Sequence, residues 1–439
     1  MDGGNHYHEM KKTDIPWLKE IPASWRLVKL KRLFSIKKEI AGENGHTVLS
    51  VTQTGIRPKD MKDKGQFAAD YSKYQLVKSG EFVMNHMDLL TGWVDISQYD
   101  GVTSPDYRVF VNTDPDKYVS EYYKYIFQLC YSARIFYGLG KGVAGFGRWR
   151  LPAEMFLNFE LPCPSVAEQT AIAEYLGDAC EKIDCLISEA KDAIEDYKAW
   201  KASIIEENVL KGIRGHRKIR STGLDWVEEI PQEWEINRLK SLFVFGKGLP
   251  ITKDNLIEAG VPVISYGQIH AKYNTGTALS EELFRFVPET YLTTNPDSLA
   301  HEGDFLVADT SEDKAGCGNV VYVDKEMQLF GGYHTIILKA KETSDNKYLA
   351  YLFKSNAWRS QIRTRVSGVK LFSISKKILN DVSVILPPLE EQIEIVAYLD
   401  KKCGLIDEMI LSKTKLIEDL ELYKKSLIHE VVTGKRKVV

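Results

Sequence analysis

Two stretches of this chain carry cations that no nearby carboxylate answers. Between residues 131 and 150 lie Arg134, Lys141, Arg148 and Arg150, within and beside the glycine-rich run GLGKGVAGFGRWR (138–150), and the interval holds no Asp or Glu. Between residues 354 and 377 lie Lys354, Arg359, Arg363, Arg365, Lys370, Lys376 and Lys377, again without an acid. Guanidinium and ammonium groups suit phosphates, and the fork of an arginine also fits guanine O6 and N7. Glycine lets a backbone approach a groove closely. The candidate nucleic-acid contacts are therefore Arg134, Lys141, Arg148 and Arg150 in the first stretch, and Arg359, Arg363, Arg365, Ser367 and Lys370 in the second. Trp149 either stacks on a base or anchors its loop in the core, and the second role is the one expected.

Other chemistries fit less well. Gly140, Gly142 and Gly145 have the spacing of a dinucleotide fingerprint, but a helical pattern precedes them and Pro152 follows, where a strand and a helix start are required. There is no Gly-x-x-x-x-Gly-Lys-Ser/Thr loop for ATP and no Asn/Asp-Pro-Pro-aromatic motif for holding a flipped base. No compact carboxylate-lysine set of a nuclease stands out, and Asn295-Pro296-Asp297 reads as a turn. The six cysteines, Cys130, Cys163, Cys180, Cys185, Cys317 and Cys403, form no Cys-x-x-Cys pair and read as reduced core thiols, not as a metal site. A reader without cofactor, metal or catalytic residues of its own is expected.

The elements that position these stretches occur twice. LPCPSVAEQTAIAEYL (161–176) returns as LPPLEEQIEIVAYL (386–399), with Gln169 on Gln392 and Tyr175–Leu176 on Tyr398–Leu399, a shift of 223 residues. DIPWLKEIPASWRLVKLKRLF (14–34) returns as GLDWVEEIPQEWEINRLKSLF (223–243), with Trp17 on Trp226 and Trp25 on Trp234, a shift of 209. The second copy thus carries 14 extra residues between matching ends. The two basic stretches fall at the same point of the repeat, just before the return to the Leu-Pro turn, which argues for one ligand class, and a polyanion is the simplest.

Each Leu-Pro turn opens a long helix. Ser165 and Glu168 make a capping box, and Ile172, Leu176, Ala179, Ile183, Leu186, Ala190, Ala193, Tyr197, Trp200 and Ile204 follow at alternating gaps of four and three. The second helix repeats the seam as Ile395, Leu399, Lys402, Ile406, Met409, Lys413, Leu416, Leu420, Tyr423 and Leu427. The expected coiled-coil interface is Ile172, Leu176, Ile183, Leu186, Tyr197, Ile204, Ile395, Leu399, Ile406, Met409, Leu416, Leu420 and Leu427. Two such stripes in one chain offer each other as antiparallel partners about a pseudo-two-fold axis. The globular segments carry period-two runs at 46–51, 81–85, 107–112, 261–266, 304–309, 319–324 and 334–340, with helices over 119–136 and 347–363.

Four motifs recurring in order resemble the specificity subunit of type I restriction-modification systems: Ile21–Trp25 with Ile230–Trp234, and the Leu-Pro turns followed by Glu168–Gln169 and Glu391–Gln392. The Gly-Lys tail of that family is matched by Gly434–Lys435 and loosely by Lys211–Gly212. The resemblance implies an α+β (α/β mixed) fold of two β-rich target recognition domains joined by two long antiparallel helices. It implies a disordered tail at 1–12, recognition domains at 13–165 and 223–388, helices at 166–212 and 389–434, a linker at 213–222 and a basic tail at 435–439. It further implies double-stranded DNA as ligand, each domain reading one half of an asymmetric target and the helices setting the spacer. Two modification (methyltransferase) subunits and restriction (translocase/endonuclease) subunits are the implied partners, and S-adenosylmethionine and ATP belong to those partners. A coiled-coil scaffold with protein- or glycan-binding heads is the alternative from another class; a stand-alone methyltransferase or nuclease is the third.

Composition bounds these readings. The 439 residues suit two to four domains; 44% are hydrophobic and 27% charged, a globular balance. The net charge of −3 supplies no global field for DNA, so any DNA surface must be local. The polar start MDGGNHYHEMKK is unlike a signal peptide and no apolar run is long enough to span a bilayer, so a cytoplasmic protein without membrane contact is expected.

Overall fold

The structure is a computed structural model that describes residues 6–60, 70–142, 149–341, 346–368 and 370–438. The chain forms two compact units, Met1–Lys191 with Thr414–Val439, and Asp192–Lys413, so each long helix contributes one half to each unit.

Both units begin with the same hairpin. Met10–Ile15 pairs antiparallel with Leu18–Pro22, and Ile219–Leu224 with Val227–Pro231. The equivalent hydroxyls of Thr13 and Thr222 donate across the turn to the carbonyls of Leu18 and Val227. Lys11 and Arg220, also equivalent, donate to the carbonyls of Trp25 and Trp234, whose rings are fully buried. The boundaries expected at 1–12 and 213–222 are thereby corrected: residues 10–12 and 219–222 lie in strands, and the Tyr7 hydroxyl reaches Glu168 at 2.5 Å. Their polar composition reads as solvated chain, whereas hairpin pairing uses backbone groups and the cations serve the tryptophan carbonyls.

A four-stranded antiparallel sheet follows in each unit, in the same spatial order and equivalent register: Phe34–Lys37, Arg108–Asn112, Phe82–Met84, Val94–Ile96 in the first; Phe243–Lys247, Thr335–Ala340, Phe305–Ala308, Val320–Tyr322 in the second. Phe34, Phe82, Phe110 and Phe127 pack edge-on or stacked within about 6 Å in the first core, as Phe243, Phe305 and Phe353 do in the second. The contents differ elsewhere. The second unit adds a sheet in the order Arg285–Val287, Val261–Ile264, Leu329–Gly331, Leu299–Ala300, while among the described residues the first has in its place the pairs Leu49–Thr52 with Gly55–Pro58 and Gln75–Val77 with Gly101–Thr103.

The Glu-Gln dipeptide at each helix start now has a physical role. Gln169 Nε2 donates to Pro164 O at 3.0 Å and Gln392 Nε2 to Pro387 O at 2.8 Å, closing the Leu-Pro turn onto the helix. The glutamates reach the tryptophan corner: Glu391 accepts from Trp234 Nε1 at 3.0 Å and pairs with Arg217, while Glu168 meets Tyr7, whose ring is edge-on to Trp25. The end of the other helix arrives at the same corner. Gly434 (φ +72°) lies against Pro22 and Trp25, and Gly212 (φ +74°) against Glu391 and Trp234, where a Cβ would collide. Each unit therefore joins the start of one long helix (Val166–Lys211 or Leu389–Val432) to the end of the other, so the helices run antiparallel within it.

The buried stripe is offset from the expected seam. Ile172, Leu176, Ile183, Ile395, Leu399, Ile406 and Leu427 are buried as expected, and Tyr197, Ile204 and Leu420 are half-buried. Leu186, Met409 and Leu416 are corrections: they are exposed at 49%, 38% and 41%. The covered residues are their neighbours Ile187, Ile410 and Ile417, and Cys180 and Cys403 are buried where Ala179 and Lys402 were expected. A straight helix advances 3.6 residues per turn against the 3.5 of a strict heptad, so the covered face drifts to the following residue. Five of the cysteines are buried, but Cys185 is exposed, correcting its reading as a core thiol.

Candidate nucleic-acid interface

In both units the segment returning to the Leu-Pro turn docks on the same strand end. Leu151 N donates to His86 O at 3.0 Å, and its equivalent Ile374 N donates to Asp309 O at 2.7 Å. His86 lies two residues beyond strand Phe82–Met84 and Asp309 one residue beyond strand Phe305–Ala308, the same place under the 223-residue shift. The two basic stretches thus arrive at one topological site.

In the first unit the helix Ser120–Ser132 stops before the expected 136, and Arg134 is exposed with a left-handed φ of +57°. Lys141 and Arg150, both exposed, exchange backbone hydrogen bonds of 2.8 and 3.0 Å and close the basic loop. Arg148 lies outside the described residues, as does Gly145. Trp149 anchors the loop: its Nε1 donates to Tyr137 O at 2.8 Å, and its indole comes so close to Gly140 that a Cβ there would collide. Beneath the loop Arg108 is buried, with Nη2 donating to Leu151 O at 2.9 Å, its guanidinium 4.7 Å from the Phe156 ring centre, and Nη1 without a partner among the described residues. Burial pulls Arg108 down to about 10. Burial, then the charges of Arg108 and Arg150, pull His86 down to about 4. The strand end is therefore a positive concentration with a neutral imidazole.

In the second unit the expected helix 347–363 is two helices, Lys347–Lys354 and Asn356–Arg363, broken at Ser355, whose hydroxyl caps the second. Glu206 of the long helix accepts the amides of Asn356 and Ala357 at 2.8 and 3.1 Å, a carboxylate at a helix start. Arg359 is half-buried, packs near Gly318 and is pulled down to about 10 by burial and then by Arg363. Arg363 is half-buried and donates to Asn356 Oδ1 at 3.1 Å and Ala315 O at 2.7 Å. Arg365, Ser367 and Lys370 are exposed on the segment that follows. Phe372–Ser373 then pairs with Thr310–Ser311, bringing that segment beside Asp309 and His334.

His86, Arg108, Asp309, Thr310 and His334 were not singled out from sequence. The equivalence of positions 86 and 309 under the 223-residue shift was the available signal. His334, at φ +54°, holds Nδ1 2.8 Å from Asp309 Oδ1, with Thr310 Oγ1 at 3.3 Å from the same nitrogen. A hydroxyl–imidazole–carboxylate relay needs the two partners on opposite ring nitrogens, so this trio does not have that geometry.

The type I restriction modification DNA specificity domain matches residues 231–421. The specificity subunit of the type I restriction enzyme MjaVIII of Methanocaldococcus jannaschii is 24% identical over 434 residues, covering 95% of this chain and 94% of that protein. The chain is similar over nearly its whole length to type I restriction enzyme specificity subunits. A chain from a structure of type I restriction-modification complex assembly shares the fold at a TM-score of 0.68 and 15% identity, covering 94% of this chain and 98% of that one. The HsdS subunit of Thermoanaerobacter tengcongensis does so at 0.51 and 16%, covering 94% and 98%. This similarity does not favour the scaffold with protein- or glycan-binding heads. Among the described residues no helix is long and apolar enough to cross a membrane, and no group of three or more His, Cys, Asp or Glu is placed to hold a metal.

Proposed function

We propose that this chain is the non-catalytic DNA-reading subunit of a type I restriction-modification complex, each unit binding one half of an asymmetric duplex target. The observation that carries this is the shared strand end: one scaffold and one docking hydrogen bond bring a basic segment to it in both units, while the side chains there differ. Equal scaffolds with unlike side chains suit two unlike half-sites. Phosphate contacts come from Arg134, Lys141, Arg150, Arg365 and Lys370, with Ser367 beside them and Arg148 in the same loop as Arg150.

The long helices carry exposed apolar residues at equivalent positions: Val166 and Leu389, Leu186 and Met409, Trp200 and Tyr423. A pattern presented twice fits two copies of one partner, the modification subunit, which would hold S-adenosylmethionine; restriction subunits with ATP would complete the assembly in the cytoplasm. The 46-residue first helix, at about 1.5 Å per residue, joins one reader to the next and so sets the spacer.

Sequencing of DNA modified by the assembled complex tests this. Neutralising Lys141, Arg148 and Arg150 together should erase preference in one half-site and leave the other intact; loss of both would contradict independent readers. Inserting about four residues, one turn, in each helix should lengthen the tolerated spacer with unchanged half-sites.

A further inference from the structure

We infer that the Asp309–His334 pair is the base-reading element of the second unit and determines one base pair of its half-site, an inference that rests on the DNA-reading function above. Strand Leu329–Gly331 must turn within three residues into Thr335–Ala340, and His334 takes up the turn in a left-handed conformation that a side chain rarely adopts. The turn is held from below. A Cβ on Gly332 would lie 2.2 Å from Ser265 Oγ, and Ser265 Oγ accepts Tyr333 N at 3.1 Å. Strain maintained this way marks a position whose side chain is needed where it points.

The imidazole is oriented on three sides. Asp309 Oδ1 sits 2.8 Å from Nδ1, and the Thr310 hydroxyl donates to that same oxygen at 2.8 Å. Asp309 N donates to His334 O at 3.1 Å, locking the two residues together. The rings of Tyr333 and Tyr266 stand 4.0 and 5.6 Å from the imidazole. A carboxylate only accepts, so Nδ1 carries the hydrogen, and in that tautomer Nε2 is an acceptor. The side chain is 39% exposed, and Nε2 has no hydrogen-bond partner among the described residues. An ordered, outward acceptor fits the exocyclic amino group of adenine or cytosine in the major groove.

The surroundings supply the rest of a DNA contact. Asp309 O takes Ile374 N, so the segment carrying Arg365, Ser367 and Lys370 ends beside this pair, and Lys314 Nζ lies 6.0 Å over the Phe372 ring. Cations able to engage phosphate therefore lie on a segment that docks beside one fixed polar ring, the division of labour between positioning and reading.

The test uses the complete complex with its modification subunits and sequencing of the sites it modifies. His334→Gly is the informative variant, because glycine accepts the left-handed backbone and keeps the turn. Discrimination of roughly 5- to 100-fold at one base pair of the second half-site should fall to within about twofold, with the first half-site and the salt dependence of binding unchanged. Asp309→Asn, acting through ring orientation, should relax that same base pair less. Unchanged preference in His334→Gly overturns the inference, as does a salt slope reduced by about one unit without altered preference, the mark of a phosphate contact. A wild-type complex that modified duplexes without sequence preference would sink the DNA-reading function itself.

Discussion

The two units solve one problem with different residues. At the tryptophan corner, Glu391 is fully buried, bonded to Trp234 Nε1 and paired with Arg217, whereas Glu168 is half-buried and meets only the Tyr7 hydroxyl, leaving Trp25 Nε1 without a partner among the described residues. At the strand end, a neutral half-buried His86 beside two arginines stands where the second unit has Asp309 with His334. The corner varies in chemistry but keeps one geometry, because it ties a helix start, a helix end and a hairpin together. The strand end varies in both, as a surface that must recognise something different would.

The corner is where the comparison has most to lose. Glu391→Ala leaves the Arg217 guanidinium and the Trp234 indole without their shared acceptor, so urea denaturation should show a loss of about 3–5 kcal/mol. Glu168→Ala removes one hydrogen bond at a half-buried site and should cost about 1 kcal/mol. Equal losses would mean that the buried ion pair adds nothing beyond the shared geometry.

The helix faces sharpen the same comparison. Ile187→Ala empties a covered position and should cost about 2–4 kcal/mol, while Leu186→Ala, at an exposed one, should cost under about 0.5 kcal/mol. The second helix should repeat the contrast, less steeply, at Ile417 and Leu416, since Ile417 is only half-buried. Thermal unfolding of the four variants checks it; a larger loss at Leu186 than at Ile187 would restore the strict heptad.

Much of this architecture was legible. All seven period-two runs overlap strands, and the duplication located both frames, because hydrophobic alternation and repeat spacing are written directly in the residues. The one-residue drift of the helix face was not, since it accumulates from helical geometry and not from residue type. The break at Ser355 was hidden because a serine inside an apolar pattern carries no mark until its hydroxyl is seen capping the next turn. Of the candidate contacts, Lys141, Arg150, Arg365 and Lys370, read from charge, and Ser367 between them are exposed, but Arg359 is half-buried, and His334 is held by a backbone angle that no residue pattern announces.

Acid should separate the two strand ends. His86 titrates near 4 in the folded protein against an ordinary 6.5, so the unfolded chain holds the extra proton between those values. Its contribution is complete above about pH 6.5 and is lost as pH falls towards 4, by up to about 3 kcal/mol. His86→Gln should flatten that part of the stability profile, measured by urea midpoints across the window. An unaltered slope would place the acid response elsewhere.

The smallest effect tests the antiparallel pairing. In the first unit Lys424 Nζ lies 2.6 Å from Asp184, and in the second Lys201 Nζ lies 2.6 Å from Asp407. The aspartates are more than half exposed, so each pair should contribute only about 0.5 kcal/mol. A double-mutant cycle isolates that coupling from the cost of each substitution. Coupling should appear for both native pairs, fade with added salt and be absent between Asp184 and Lys201, which share one helix 17 residues apart. Coupling in one unit and not the other would show that the second helix departs from the register of the first, and the equivalence of the two units would then end at their globular segments.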